Sequence, residues 1–82
     1  MKHVRIAYAH CREGQIAYEL LAETIENDKV IYGIRITYGN DEILIRGITP
    51  RILKAEALFA AMVRGVVTPV TARDIVEDWL AI

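Results

Sequence analysis

Residues 29–39, KVIYGIRITYG, alternate between two sets of side chains, which is the period of a β-strand. The next segment, DEILIRGI, alternates in the same way. Gly39-Asn40 lies between them, and this dipeptide suits the two-residue turn of a hairpin because both residues tolerate a positive φ. The pattern therefore predicts an antiparallel hairpin, whose first strand directs to one face Val30, Tyr32, Ile34, Ile36 and Tyr38.

The length of that turn also predicts the register of the hairpin. Four pairs should lie opposite each other: Ile36 and Ile43, Ile34 and Ile45, Thr37 and Glu42, Arg35 and Leu44. Gly33, in mid-strand, weakens a strand unless something packs closely over it. We expect that neighbour to be bulky, such as an aromatic ring on an adjacent strand.

Two further segments upstream alternate and predict more strands of the same sheet. In QIAYELLAETI one face carries Ile16, Tyr18, Leu20 and Ala22. These even positions meet the even positions of the next strand only across an odd-length connection, so we expect a three-residue loop or a bulged turn at residues 26–29. In HVRIAYA, the residues Val4, Ile6 and Tyr8 share a face, and a turn near CREG would make this segment a fourth strand.

The second half of the chain has helical spacing and two Thr-Pro steps, ITPRIL and VTPVTA. Threonine caps a helix start and proline suits the first helical position. Helix one is predicted from Pro50 to about Arg64, with Gly65 as a left-handed C-terminal stop. Helix two begins at Pro69 or, through a capping box from Thr71 to Asp74, slightly later.

The two sides of predicted helix one carry different kinds of residue. Helix one has an apolar stripe of Ile52, Ala55, Phe59, Met62 and Val63, with Val66 beyond. Its other side is a strip of Leu53, Ala57, Ala60 and Ala61, broken by Lys54 and Arg64. Small residues let another helix approach closely, so either helix two or a second subunit is expected against this strip.

Helix two ends in DIVEDWL, where three carboxylates stand next to the only tryptophan in the chain. At 100° per residue, Asp74, Glu77 and Asp78 lie on one side of the helix, opposite Trp79. A hard cation prefers more oxygen ligands and loop carbonyls, which this pattern lacks. We therefore expect a solvated acidic face and an inward tryptophan.

Together these elements predict one α+β domain over residues 1–82, with a three- or four-stranded antiparallel meander and two C-terminal helices on one face. Its expected core is Tyr18, Leu20, Ile34, Ile36, Ile43, Ile45, Phe59, Val63, Ile75 and Trp79.

Composition narrows the function classes. The chain is 54% hydrophobic, with ten basic and eleven acidic residues and a net charge of −1. Such a balance argues against a nucleic-acid binder, which needs many cations. The apolar run from Leu58 to Val63 is far shorter than the ~20 residues that span a bilayer. One cysteine, Cys11, and no recognisable secretory signal predict a cytoplasmic protein that does not bind membranes.

Candidate chemistry is sparse. His3, His10 and Cys11 form the one cluster of soft ligands, but adjacent residues of a strand point apart, which is poor geometry for zinc. The chain has no serine and no phosphate-cradling glycine loop. Arg35, Arg46 and Tyr38 suggest a nucleic-acid platform, yet Tyr38 falls on the face that the helices should cover. We predict no catalytic residue, no metal site and no cofactor.

The best functional indication is an aliphatic patch on the outer face of the sheet, continued by the strip on helix one. Contiguous aliphatic surface often marks a contact site. The candidate interface is Leu21, Ile31, Arg35, Leu44, Arg46, Leu53, Ala57 and Ala60. We predict a non-catalytic interaction or regulatory module whose partner is itself, as a homodimer, or another protein. The alternative is a small-molecule or metal-binding protein, possibly enzymatic, that uses the histidines, Cys11 or the carboxylates of helix two.

YGIRI, the hairpin after it and the closing DIVEDWL resemble a small bacterial family known as a domain of unknown function. Its proteins have a Tyr-Gly-Ile strand, a helix, a Ser/Thr-Pro step and a closing Asp-Val-x-Glu-Asp-aromatic-Leu helix. Tyr32 to Ile34, Thr68-Pro69 and Asp74 to Leu80 match, within a resemblance over about residues 16–81. Ala72-Arg73 stands where the family has His-Leu. The resemblance implies the fold and supplies no activity, substrate or catalytic residue.

Overall fold

Four antiparallel strands, paired in the order β1-β2-β3-β4, are followed by two helices in a computed structural model that describes residues 1–81. The predicted α+β meander is confirmed, and the N-terminal segment is its fourth strand. The elements are β1 (Lys2–Cys11), β2 (Gly14–Thr24), β3 (Val30–Tyr38), β4 (Asp41–Thr49), α1 (Ile52–Arg64) and α2 (Pro69–Leu80).

The β3–β4 hairpin has the predicted register. All four predicted pairs lie opposite each other, and Tyr38 faces Asp41 across the turn. Gly39 alone of the two turn residues has a positive φ, 60°. This is the arrangement of a type II′ turn, whose twist matches that of the strands.

The β2–β3 connection confirms the odd-length prediction. Ile25 donates its backbone N–H to the carbonyl oxygen of Lys29 at 2.7 Å, which leaves the three residues Glu26–Asp28 as the loop. Asn27 and Asp28 both have a φ of 60°. The even positions of the two strands therefore meet, as in the pair of Tyr18 and Ile36.

The core lies between the helices and the face of the sheet that carries the even-numbered residues of β2 and β3 and, on β4, Ile43 and Ile45. Six of the ten expected core residues are buried, whereas Ile43, Val63, Ile75 and Trp79 are half-buried against the cluster. The list of expected core residues left out eight others that are buried, although Ile16, Ala55 and Met62 were on predicted apolar faces. The eight are Ala9, Ile16, Ala55, Leu58, Met62, Val67, Ala72 and Val76. Leu80, at the end of α2, is half exposed.

The helix boundaries correct two details. Helix α1 begins at Ile52, two residues later than predicted, and α2 begins at Pro69 as predicted. Neither helix start receives a side-chain cap. The hydroxyl of Thr49 instead accepts a hydrogen bond from the N–H of Arg51 at 3.2 Å, which orients the chain just before α1.

At the end of α1, Val66 takes the left-handed conformation that was predicted for Gly65. Gly65 keeps a right-handed φ of −82°, and Val66 takes the left-handed φ of 52°. The N–H of Val67 donates to the carbonyl of Met62 at 3.0 Å, and the N–H of Val66 donates to that of Val63 at 3.1 Å. These two bonds form a Schellman motif, in which a β-branched residue occupies the position that favours glycine.

The backbone of β4, and not an aromatic ring, lies close over Gly33, so the expectation of a bulky side chain there was wrong. The β3–β4 register shifts between Tyr32 and Ile34, which brings the backbone of β4 close to Gly33. A Cβ at this position would lie 2.6 Å from the carbonyl oxygen of Ile45 and 3.2 Å from the Cα of Arg46. Only glycine fits there without a movement of β4.

Candidate functional site

The outer face of the sheet, opposite the helices, carries ion pairs that run across the strands. Arg35 on β3 lies between two carboxylates, with its Nη1 3.1 Å from Glu19 Oε2 and its Nε 3.8 Å from Glu42 Oε1. Arg46 on β4 donates to both carboxylate oxygens of Glu23 on β2. That hydrogen bond lowers the pKa of Glu23 below its ordinary value and raises the pKa of Arg46. These charges therefore have partners within the chain.

The outer face exposes less aliphatic surface than the sequence suggested. Leu21 was expected at the surface, but it is only 1% exposed and contributes nothing to a contact. It lies opposite Gly33, beside the Glu23–Arg46 pair that spans β3. Ile31 and Leu44 are half-buried. Little of the expected patch on β2 to β4 is therefore exposed.

Three of the four residues in the strip on α1 are exposed, and Ala61 is half-buried. Leu53 is 78% exposed, and Ala57 and Ala60 are also exposed. Helix α2 lies against β3 and β4 and does not cover these residues. On the α2 side, Lys54 instead borders a shallow groove of about 280 Å³ with Thr49, Trp79 and Leu80.

Strand β1 carries the exposed apolar residues whose orientation sequence reasoning did not establish. Val4, Ile6 and Tyr8 are 41%, 50% and 56% exposed on the strand at the edge of the sheet. Within residues 1–81, no strand pairs with the free side of β1. The signal was present in the sequence: Ala7 and Ala9 alternate with these large residues and, being small, fit beneath the helices.

A groove of about 300 Å³ lies on the other face of β1, where the strand meets α1. Ala7, Phe59, Ala60 and Val63 line its floor and wall. Arg5 and Glu56 stand at this groove, with Arg5 Nη2 3.7 Å from Glu56 Oε1. The edge strand β1 therefore has apolar surface on both of its faces. Ile6 and Tyr8 are exposed on one face, and the groove lies on the other.

The soft ligands near the N-terminus do not converge. His10 is exposed, whereas Cys11 packs against the core and donates to the Tyr38 hydroxyl, with Sγ and Oη 3.2 Å apart. His3 Nδ1 lies 3.8 Å from Glu19 on the outer face. The hydrogen bond between Cys11 and Tyr38 lowers the pKa of the thiol and raises that of Tyr38 to about 12. The pair tethers the end of β1 to β3.

The carboxylates of α2 are solvated as predicted. Asp74, Glu77 and Asp78 are exposed, and Trp79 packs against the core from the other side of the helix. In the part of the chain that the structure describes, no three His, Cys, Asp or Glu side chains are placed to hold a metal ion. None of the helices in residues 1–81 combines the length and apolar character needed to cross a membrane.

One comparison with known proteins gives a result. The model of a family of unknown function, DUF6514, matches residues 2–82. No curated protein and no solved structure matches the chain. The match covers nearly the whole chain, including β1, which the resemblance described above left outside.

Proposed function

We propose that this chain, which belongs to DUF6514, a family of unknown function, is a non-catalytic protein-interaction module that pairs with a second copy of itself. The contact is the free edge of β1. The proposal includes a bacterial origin, which the resemblance of the YGIRI and DIVEDWL motifs supports. It also includes a cytoplasmic location, where a single cysteine would stay reduced.

The observation that carries this proposal is the exposure of Ile6 and Tyr8 on a ten-residue edge strand. An unpaired strand edge presents a row of N–H and C=O groups that can bind another strand. Proteins that remain monomeric usually protect such an edge with charges, a bulge or a covering segment. The shift between His3 and Arg5 disturbs only the start of β1, so the segment from Ile6 to Ala9 stays regular and apolar.

A strand added to this edge would place its side chains alternately on the two faces of the extended sheet. Outward side chains would pack beside Ile6 and Tyr8. Inward side chains would enter the groove formed by Ala7, Ala60 and Val63. Backbone hydrogen bonds and apolar contacts would then support the same pairing.

Strand β1 of a second copy meets both requirements. It presents Ile6 and Tyr8 outward, where they can pack against their equivalents. Inward it presents Ala7 and Ala9, which are small enough for the helix layers of the two copies to approach. Antiparallel pairing of identical strands is symmetric, so the complex closes as a dimer and exposes no further copy of this edge.

The experiment that tests this proposal compares the solution masses of two lysine variants. Ile6→Lys places a charge at the centre of the proposed contact, whereas Val70→Lys changes an 81% exposed residue on α2. Sedimentation equilibrium at micromolar concentration should give a dimer for the wild type and Val70→Lys, and a monomer for Ile6→Lys. A wild type that stays monomeric at these concentrations would refute self-association.

A further inference from the structure

We infer that the two-fold axis of this dimer passes beside Ala7 and Ala60, so that α1 packs against α1 of the partner and Glu56 lies opposite the partner's Arg64. The inference rests on the proposed function and adds to it the geometry of the contact.

The size of a stable interface requires more than paired strands. A specific complex buries roughly 800 Å² on each partner, which is about one-seventh of the 5491 Å² surface of this chain. A strand edge contributes hydrogen bonds but little area, so the helix layer has to take part. In a two-fold sheet dimer both helix layers lie on the same side, and the helix that borders β1 is α1.

The side of α1 that borders β1 is complementary in charge to an antiparallel copy of itself. Ala60 is exposed there and, being small, lets two helices approach to the 8–10 Å typical of packed helices. Glu56 is four residues before Ala60, and Arg64 is four residues after it. Two antiparallel helices that cross at Ala60 therefore set each Glu56 opposite an Arg64, twice by symmetry.

The strand layer gives the same position for the axis. Ala7 lines the same groove as Ala60, so an axis beside one residue passes close to the other. With the axis at Ala7, Ile6 lies opposite the partner's Tyr8 and Arg5 opposite the partner's Ala9. An axis at Ile6 would instead place His10 opposite the partner's Lys2, and it would lose the match with the centre of the helix pair. An axis at Ala7 thus satisfies both layers, whereas an axis at Ile6 does not.

A charge exchange tests this axis. Glu56→Arg and Arg64→Glu each set like charges against each other at two symmetric places, and each should raise the dimer dissociation constant at least about tenfold. The double variant restores opposite charges and should return the constant to within about threefold of the wild type. Arg73→Glu, an exposed change on α2, is the control and should leave the constant unchanged.

The outcomes separate this inference from the proposed function. If the wild type is a dimer and neither single variant weakens it, or the double variant fails to recover, the axis is elsewhere while self-association stands. If the wild type is a monomer, both are wrong. Far-ultraviolet circular dichroism melts show whether each variant is folded, because Glu56→Arg also removes the contact with Arg5.

A second measurement does not depend on charge. In a Cys11→Ala background, Ala60→Cys should form a disulfide-linked dimer on mild oxidation, because the two residue-60 Cα atoms would lie within the ~7 Å that a disulfide spans. Ala57→Cys is equally exposed but lies three residues from the axis, so its two copies should remain uncrosslinked. Equal crosslinking at the two positions would overturn the proposed axis.

Discussion

The hydroxyl of Tyr18, on β2, donates a hydrogen bond of 2.7 Å to the carbonyl oxygen of Val67, which lies between α1 and α2. Tyr18 is fully buried, and the side chain of Val67 is 8% exposed. The bond joins the sheet directly to the turn between the helices. It also satisfies a carbonyl group that would otherwise be buried without a partner, which makes it valuable to the fold.

Tyr18→Phe should therefore destabilise the protein by about 1–2 kcal/mol without changing its fold, because the Val67 carbonyl loses its partner while the ring keeps its packing. Urea unfolding followed by circular dichroism measures the loss. Tyr32→Phe is the matched control, since Tyr32 is only half-buried and lies outside the proposed dimer contact. Equal stability of the two variants would show that the buried bond contributes nothing.

Alkaline pH should unfold the protein through its tyrosines. Burial raises the pKa of Tyr18 above its ordinary value of 10.0, and the hydrogen bond with Cys11 raises that of Tyr38 to about 12. A raised pKa in the folded state gives stability that is complete below pH 10 and is lost as the pH rises toward 12. Urea unfolding at a series of pH values should show this decline, and Tyr38→Phe should reduce it. A stability constant up to pH 12 would contradict the expectation.

Gly33→Ala should be among the most damaging of small substitutions in this chain. The new Cβ would meet the backbone of Ile45 and Arg46, which cannot move without breaking the pairing of β3 with β4. We expect a loss of about 2–4 kcal/mol or a failure to fold, which a thermal melt detects. Thr37→Ala, at a half-buried position of the same strand, is the control, because it adds no Cβ and should cost much less. A benign Gly33→Ala would mean that β4 can shift.

Val66→Gly should stabilise the protein by about 1 kcal/mol, because Val66 has a φ of 52° and glycine adopts that conformation without steric cost. The gain should appear as a higher urea midpoint with an unchanged slope. Val66→Ala removes the β-branch but keeps a Cβ, and it should recover only part of the gain. Destabilisation by Val66→Gly would show that the valine side chain contributes more than its backbone strain costs.

The two internal hairpins were predictable because short-range rules decide them. Turn length and alternation gave all four pairs of β3 and β4, and an odd number of connecting residues gave the register of Tyr18 with Ile36. On α2, angular spacing alone separated Asp74 from Trp79. These are relations within one element or between neighbours along the chain.

Tertiary contacts decided the features that the sequence did not reveal. Val66, and not Gly65, is left-handed at the end of α1, where the burial of Val67 and its bond from Tyr18 set the position of the chain. Glycine is required at position 33 because the backbone of β4 comes close to it, and no local sequence pattern indicates this contact. The same holds for the burial of Leu21, which lies between His3 on β1 and Gly33 on β3.

The candidate site was predicted in part for a related reason. The strip of Leu53, Ala57 and Ala60 follows from helical periodicity and is exposed as expected. The outward orientation of Ile6 and Tyr8 does not follow from alternation, which shows that residues share a face but not which face is covered. The size of the alternating residues supplies that information, because the small Ala7 and Ala9 fit beneath the helices.

The most direct test of the central claim is the mass of the wild-type protein by sedimentation equilibrium at micromolar concentration, with Ile6→Lys measured alongside. The account predicts twice the 9.3 kDa of one chain for the wild type and a single chain for the variant. A wild-type mass of one chain, or a dimer that Ile6→Lys leaves intact, would contradict pairing through the edge of β1.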